Sequence, residues 1–420
     1  MTAQDTLAAA KSARAPAQSL NISFVEFVAM TATLMALTAL SIDIMLPALP
    51  AIGDALGVEN HNDRQQIVIL YMAGFAAGQL FYGPLSDRFG RKPVLLFGLA
   101  LFIAGSIGAL LAHSFTALLG ARLIQGLGAA SPRVVAIAVV RDLYAGRQMA
   151  RVMSLAMMVF IVIPVLAPTI GSALMHLGDW HIMFYVLLAI GVLVALWSGL
   201  RLPETARQVL LHEQPQTLAA SFKAAIFTPQ TLGYGLCGGL MFGCLLSYVA
   251  SAQQIYADVF NAEALFPVLF GAVASVMAIA SFINSRLVER LGMRAVSHTA
   301  LLCSVATALM LSLTAYSGLA SLMIFSALVA GIFFFFGLIA PNFNALAMEP
   351  QGSNAGMASS VAGALSTATG ALAGGLIGAS FNGSVVPLAF GILSCTLLTC
   401  VIVYLVEGRA GLFGRQARAI

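Results

Sequence analysis

Apolar residues come in long runs along this chain, broken by short polar stretches. Twelve runs are read at residues 24–50, 66–86, 93–112, 116–140, 152–175, 182–201, 230–254, 264–285, 295–316, 319–340, 355–380 and 385–406. A helix rises about 1.5 Å per residue, so each run reaches across the roughly 30 Å hydrocarbon core of a bilayer. Several breaks are a few residues long, which makes those neighbours antiparallel hairpins. The longest mid-chain polar stretch, 202–229, holds Pro203, Glu204, Arg207, His212, Glu213, Pro215 and Lys223 and divides the runs six and six. The pattern predicts an all-α integral membrane protein: a tail at 1–23, a six-helix bundle at 24–201, a linker at 202–229, a second bundle at 230–406 and a tail at 407–420. The halves echo each other. "SDRFGRKPV" follows run 2 and "NSRLVERLGMRAV" follows run 8, each setting basic residues around a glycine. Paired halves of this kind fit a transporter that rocks about a central site.

Composition agrees with this pattern. The 420 residues are 60% hydrophobic and 9% charged, whereas a soluble domain carries about a quarter charged residues. With the N-terminus inside, the breaks on that side and the tails hold nearly all the basic residues, and the opposite side holds only Arg64. The positive-inside bias places both termini in the cytoplasm. The first 20 residues lack an apolar core and read as a cytosolic tail, not a cleaved signal. The five cysteines lie in apolar runs without metal-ligand spacing, and the six histidines are scattered with no HExxH. No cofactor, metal, catalytic constellation or nucleic-acid partner is expected. The chain reads as a monomer whose partners are the bilayer, protons and a small-molecule substrate.

One feature resists the apolar pattern. Arg122 and Arg133 lie inside run 4, and a guanidinium keeps its proton even where hydrocarbon makes it costly. Arg122 falls about 10 Å below the start of its run, and Asp43 about 12 Å from the end of run 1 on the same side. Asp43 is the only carboxylate well inside any run, since Glu26 sits at an end. Burial favours a protonated carboxyl and a neighbouring guanidinium favours the carboxylate. A small change in their separation would therefore load or release a proton. A permanent ion pair fixing span 1 to span 4 is the alternative. Gln125, three residues on, shares the face of Arg122, and Gly126 and Gly128 allow close helix approach. Arg133 lies about 16 Å further in, either at the mouth of a cavity or paired near the interface.

Particular motifs narrow the class. "GPLSDRFGRK" (Gly83 to Lys92) resembles the loop 2–3 signature of the major facilitator superfamily, and "LLGARLIQGLGAA" is similar to the span-4 signature of its proton-coupled exporters. "SIDIMLPALPAI" and "PNFNALAMEPQGSNAGMASSVAG" resemble the Bcr/CflA drug/proton antiporters. The resemblance implies twelve helices in two pseudo-symmetric six-helix bundles. It also implies a cytosolic latch built from Gly83, Asp87, Arg88, Gly90, Arg91, Lys92 and Asp142, with Asp142 as partner of Arg91. Topology alone would account for the basic residues of that loop, but not for Asp87 or the glycines. Span 5 reads "IPVLAPTIGS", with Gly171–Ser172 where a glycine pair is usual. Pro164 and Pro168 kink it, Gly171 permits close packing, and the resemblance implies a role in preventing leak. Span 7 reads "SYVASAQQIY", where the subgroup tends to follow the serine with proline and an aromatic.

Substrate candidates are Tyr71, Met157, Met158, Tyr248, Gln253, Gln254, Phe334 and Asn342, set against a background of 26 Phe and 18 Met in which any one more often packs or faces lipid. The leading expectation is a proton-coupled exporter of small apolar or amphipathic compounds, including drugs, in the bacterial inner membrane. The alternative is a transporter of one metabolite, such as a sugar or siderophore.

Overall fold

A computed structural model describes residues 22–144, 146–205 and 218–411. The outer parts of both tails and the middle of the linker lie outside the described residues, as do the side chains of Met157, Met158 and Pro164. Among the described residues twelve long helices carry the fold. The first half contains α1 Phe24–Asp43, α2 Gln66–Phe89, α3 Arg91–Leu110, α4 Phe115–Leu143, α5 Gly146–Met175 and α6 His181–Arg201. The second contains α7 Pro229–Gln254, α8 Phe266–Leu291, α9 Met293–Tyr316, α10 Leu322–Met348, α11 Ala355–Ala379 and α12 Val386–Gly411. Among the described residues, eleven helices are long and apolar enough to cross a membrane, and α5 adds the shorter apolar segment Val165–Met175. Large apolar side chains such as Leu193, Leu200, Leu313 and Leu405 stand exposed on the outside of the bundle, where lipid replaces water as solvent.

Local chemistry sets several ends. Ser23 caps α1 by accepting from the Glu26 amide at 3.1 Å, and Ser114 and Ser321 cap α4 and α10 in the same way. Only one residue, Gly90, separates α2 from α3, and only Gly292 separates α8 from α9. Their φ values of 104° and 84° belong to the left-handed region that side chains disfavour. The linker is not all loop: Leu218–Ile226 forms a helix and buries Ala225 against Ala358 and Val361 of α11.

The helix pairings repeat with a shift of six. In the first half α2 and α3 both pack on α4, α1 on α5, and α3 on α6; in the second α8 and α10, α9 and α10, α7 and α11, and α9 and α12 are the matching pairs. Two seams join the halves, α2 against α11 and α5 against α8, and the same shift exchanges them. Polar side chains cross between the halves at and beside the α2–α11 seam. Asn62 donates to the Phe381 carbonyl (2.6 Å), Gln65 to Gln254 Oε1 (2.8 Å) and Gln79 to Thr367 Oγ1 (3.0 Å).

Candidate functional site

The first half is organised around a break in α1. Pro47 has no N–H to offer the Asp43 carbonyl, and its ring crowds that turn. The helix ends at Asp43 and continues as a 3-10 turn, Leu46–Ala48, and a short helix, Leu49–Ala55. The tightening redirects the Met45 amide to the Ile42 carbonyl (3.2 Å), so the Ser41 carbonyl loses its usual helical partner. Arg122 of α4 takes it: Nη2 donates to the Ser41 carbonyl at 3.1 Å.

Every edge of that guanidinium is engaged. Nε donates to the Ile67 carbonyl (3.2 Å) and Nη1 to Gln125 Oε1 (2.5 Å). Its carbon stands 4.4 Å from the centroid of the Tyr71 ring, a cation–π contact. Gln125 is held in turn, its Nε2 donating to Ser106 Oγ of α3 at 2.8 Å. The planar fork thus ties α4 to α1, α2 and α3. Arg122 and Gln125 are both fully buried. Close packing makes this possible: a side chain at Gly126 would run into the Tyr71 carbonyl, and one at Gly105 into Gln125.

Asp43 is 5% exposed. Among the described residues it takes part in no ion pair within 4.0 Å. The alternative of a permanent Asp43–Arg122 ion pair is therefore not what the structure holds. The Ser41 carbonyl freed by the broken helix, two residues along α1 from the carboxyl, and the Ile67 carbonyl of α2 satisfy the guanidinium instead. The Tyr71 hydroxyl is buried beside Ser41 and Thr38. On the other side of the break, a side chain at Gly171 of α5 would meet the Ile44 carbonyl and Pro47. Gly171 thus abuts the break at the carboxyl end of α1. The α5 backbone runs as one helix through Pro164 and Pro168, and Pro168 is buried.

A second cluster sits at the α2–α3 turn. Arg91 Nε donates to Asp142 Oδ2 at 2.8 Å, with both side chains 3% exposed. Its Nη1 also reaches Ser86 Oγ (2.7 Å) and Asp87. Glu204, just past α6, accepts from the backbone amides of Arg91 (2.8 Å) and Lys92 (3.1 Å). A carboxylate there complements the unpaired amides at the start of α3. Thr205 Oγ1 donates to Asp142 at 2.9 Å. Gly83 faces Ser360 across the α2–α11 seam. Arg88 is exposed, with its guanidinium over the neighbouring Phe89 ring at 5.4 Å, so it stands apart from the Arg91 cluster.

The second half repeats this cluster. Arg294, after Gly292, donates from Nε to Glu407 (3.0 Å) at the end of α12 and from Nη2 to Glu349 (2.6 Å) at the end of α10. Tyr234 donates to Glu407 at 2.7 Å and lies 3.0 Å from His298 Nε2.

The substrate candidates fall in separate places. Tyr71 belongs to the Arg122 cluster. Tyr248 stacks on Phe270 (5.7 Å), packs on Phe333 and meets the Tyr256 hydroxyl at 3.4 Å. Gln254 bonds Gln65 across the seam, and Gln253 is buried close by on α7. Phe334 is half-buried against Phe335. Asn342 donates to Asn284 Oδ1 and to the Leu338 carbonyl, both at 2.7 Å, so its amide is committed to holding α10 on α8. Met157 and Met158 lie outside the described side chains. Sequence reasoning missed Glu204, Thr205, Ser86 and Ser106. Ser106 had a signal, since it is the only polar residue in run 93–112. Glu204 had none, because its target is 113 residues away.

Comparison with known proteins agrees with this geometry. The family described as Major Facilitator Superfamily matches residues 31–374, and the chain belongs to it. It is a multi-pass integral membrane protein of a transporter family. It is 30% identical over 394 residues to a bicyclomycin resistance protein homolog of Haemophilus influenzae, covering 91% of this chain and 96% of that one. It is 33% identical over 341 residues to the multidrug resistance protein MdtL of Shewanella oneidensis, covering 79% and 83%. The fold is that of the xylose transporter XylE of E. coli in a partially occluded inward-open conformation, with a TM-score of 0.73 at 12% identity over 93% of this chain and 99% of that one.

Proposed function

We propose that this protein exports small apolar or amphipathic compounds, drugs among them, in exchange for protons by alternating access in a bacterial cytoplasmic membrane. The names of its relatives, bicyclomycin resistance and multidrug resistance, support the substrate class. One observation carries the coupling: the only mid-span carboxyl, Asp43, sits buried at the break of α1, two residues from the carbonyl that holds Arg122. An ionised carboxylate in this setting needs a counter-charge. Release of its proton draws Arg122 from the Ser41 carbonyl toward Asp43 and moves α1 relative to α4. Reloading the proton lets the guanidinium return. Substrate and proton take turns at this junction, and the alternation couples their fluxes.

In this reading both termini are cytoplasmic, the bundles are 24–201 and 230–406, and the protein works as a monomer. The Arg91–Asp142–Glu204 cluster latches the cytosolic side, and Gly171 seals α5 against the α1 break. The test is transport by Asp43→Asn in everted membrane vesicles. Loss of substrate-induced proton movement together with uphill efflux is expected. Proton-driven efflux at the wild-type rate would remove Asp43 from the mechanism.

A further inference from the structure

Arg133 is a second charged group inside α4, and the coupling scheme does not use it. It follows Arg122 by eleven residues, close to three turns, so both guanidinium groups leave the same face of the helix. Contacts on either side define that face. Thr38 of α1 donates to the Ala129 carbonyl at 3.5 Å, and Gly78 of α2 packs on Ala130. At 100° per residue Arg133 points between these two directions, into the cleft between α1 and α2.

Its guanidinium stands 5.8 Å from the centroid of the Phe75 ring. Phe75 is 1% exposed and lies on α2 between two packed faces. Tyr71, Gly74 and Gly78 face α4, while Gln79 and Gly83 face α11. The ring therefore points toward the space between the halves, and Arg133, half-buried, follows it there.

Charge counting makes this placement significant. The first-half runs hold two cations in mid-span, Arg122 and Arg133, and one carboxyl, Asp43, giving a net interior charge of 2 − 1 = +1 with Asp43 ionised and +2 with it protonated. The six runs of the second half contain no Asp, Glu, Lys or Arg. Their contribution includes the aromatic group of Tyr248, Phe270 and Phe333. The charge of the spans thus belongs to the first half, and the spans of the second half carry none.

We propose that Arg133 is a specificity-determining residue that selects anionic amphipaths and disfavours permanent cations. This rests on the efflux reading and names its substrate class. A carboxylate or sulfonate gains a charge-assisted bond at Arg133 while its apolar body lies on the second-half aromatics. A quaternary cation in the same place meets like charge where little water screens it.

The test uses efflux of an anionic dye, carboxyfluorescein, and a permanent cation, tetraphenylphosphonium, by cells producing the wild type, Arg133→Gln or Arg133→Lys. The wild type should move the anion at least about tenfold faster than the cation. Arg133→Gln should narrow that ratio to about twofold, and Arg133→Lys should restore it, because Lys keeps the charge. A wild type that moves both probes equally, or a glutamine variant that slows both alike, overturns the proposal. Thermal stabilisation of the purified proteins by each probe provides a readout without transport. Preferential stabilisation of wild type by the anion, lost in Arg133→Gln, upholds the charge filter even if no probe is pumped, in which case the efflux reading alone fails.

Discussion

The centres of the two halves occupy equivalent places, framed by the same helix pairings, yet they are built from opposite materials. In the first half α4 carries Arg122, held by carbonyls of α1 and α2 and by Gln125. In the second, α10 carries Phe333 against Tyr248, and its polar residue Asn342 is spent on Asn284. The ends away from the α1 break tell the opposite story. There Gly90, Arg91 and Asp142 correspond to Gly292, Arg294 and Glu349, and a carboxylate from just past α6 or from the end of α12 joins each set, Glu204 on backbone amides and Glu407 on the guanidinium. The repeat has been kept where it holds helix ends together and abandoned at the centres of the two halves. One half contributes charge and the other an apolar aromatic surface.

That contrast can be broken most severely at Arg122. Arg122→Gln should lower coupled efflux by about a hundredfold or more, since the unpaired carbonyl groups and Gln125 stay buried. Tyr248→Phe in the second half should change the rate by no more than about threefold, while shifting relative activity among substrates. Rates measured side by side in vesicles decide this, and equal losses would show that the centres share one role. The next effect in size concerns the repeated ends. Asp142→Asn leaves Arg91 buried with only Asp87 and Ser86 beside it, and should destabilise the protein by about 3 kcal/mol. Glu407→Gln should cost less, about 1 kcal/mol, because Arg294 keeps Glu349 and its side chain is 16% exposed. Thermal unfolding in detergent ranks the two, and a reversed order would mean that the second-half cluster is the stronger latch.

Packing should give a more even result. A side chain at Gly126 meets the Tyr71 carbonyl, and one at Gly337 of α10 meets the Met277 carbonyl of α8. Gly126→Val and Gly337→Val should each lower stability by about 1–3 kcal/mol, as overpacked cores do. Similar losses in unfolding experiments would confirm that the halves share their helix geometry though not their chemistry. The smallest effect belongs to the seam: Gln79→Ala removes one interhelical hydrogen bond, worth about 0.6 kcal/mol on average in a membrane. Its signature is a changed rate of crosslinking between cysteines placed across α2 and α11, with little change in thermal stability.

Much of this was legible beforehand. Run 116–140 became α4 Phe115–Leu143, and run 355–380 became α11 Ala355–Ala379. Arg91 and Asp142 stand 2.8 Å apart as their positions implied, and Gln125 bonds Arg122 as its spacing implied. The first run, read as a span over 24–50, lies within the span Phe24–Ala55, but its α-helix stops at Asp43, a break that Pro47 and Pro50 mark. The freed Ser41 carbonyl, which takes Arg122 at 3.1 Å, had no signal in the run itself. Glu204 was placed in a linker, since nothing local marks a carboxylate as the cap of a helix 113 residues earlier.

The sequence by itself determined that the chain folds into long apolar helices and that Asp43 and the two arginines lie within them. Those depend only on how many apolar residues stand in a row and on the fixed rise of a helix. Only the tertiary structure decided what holds Arg122. A carbonyl released by proline becomes a partner only when another helix, 81 residues along the chain, brings a guanidinium within reach, and no local pattern encodes that approach.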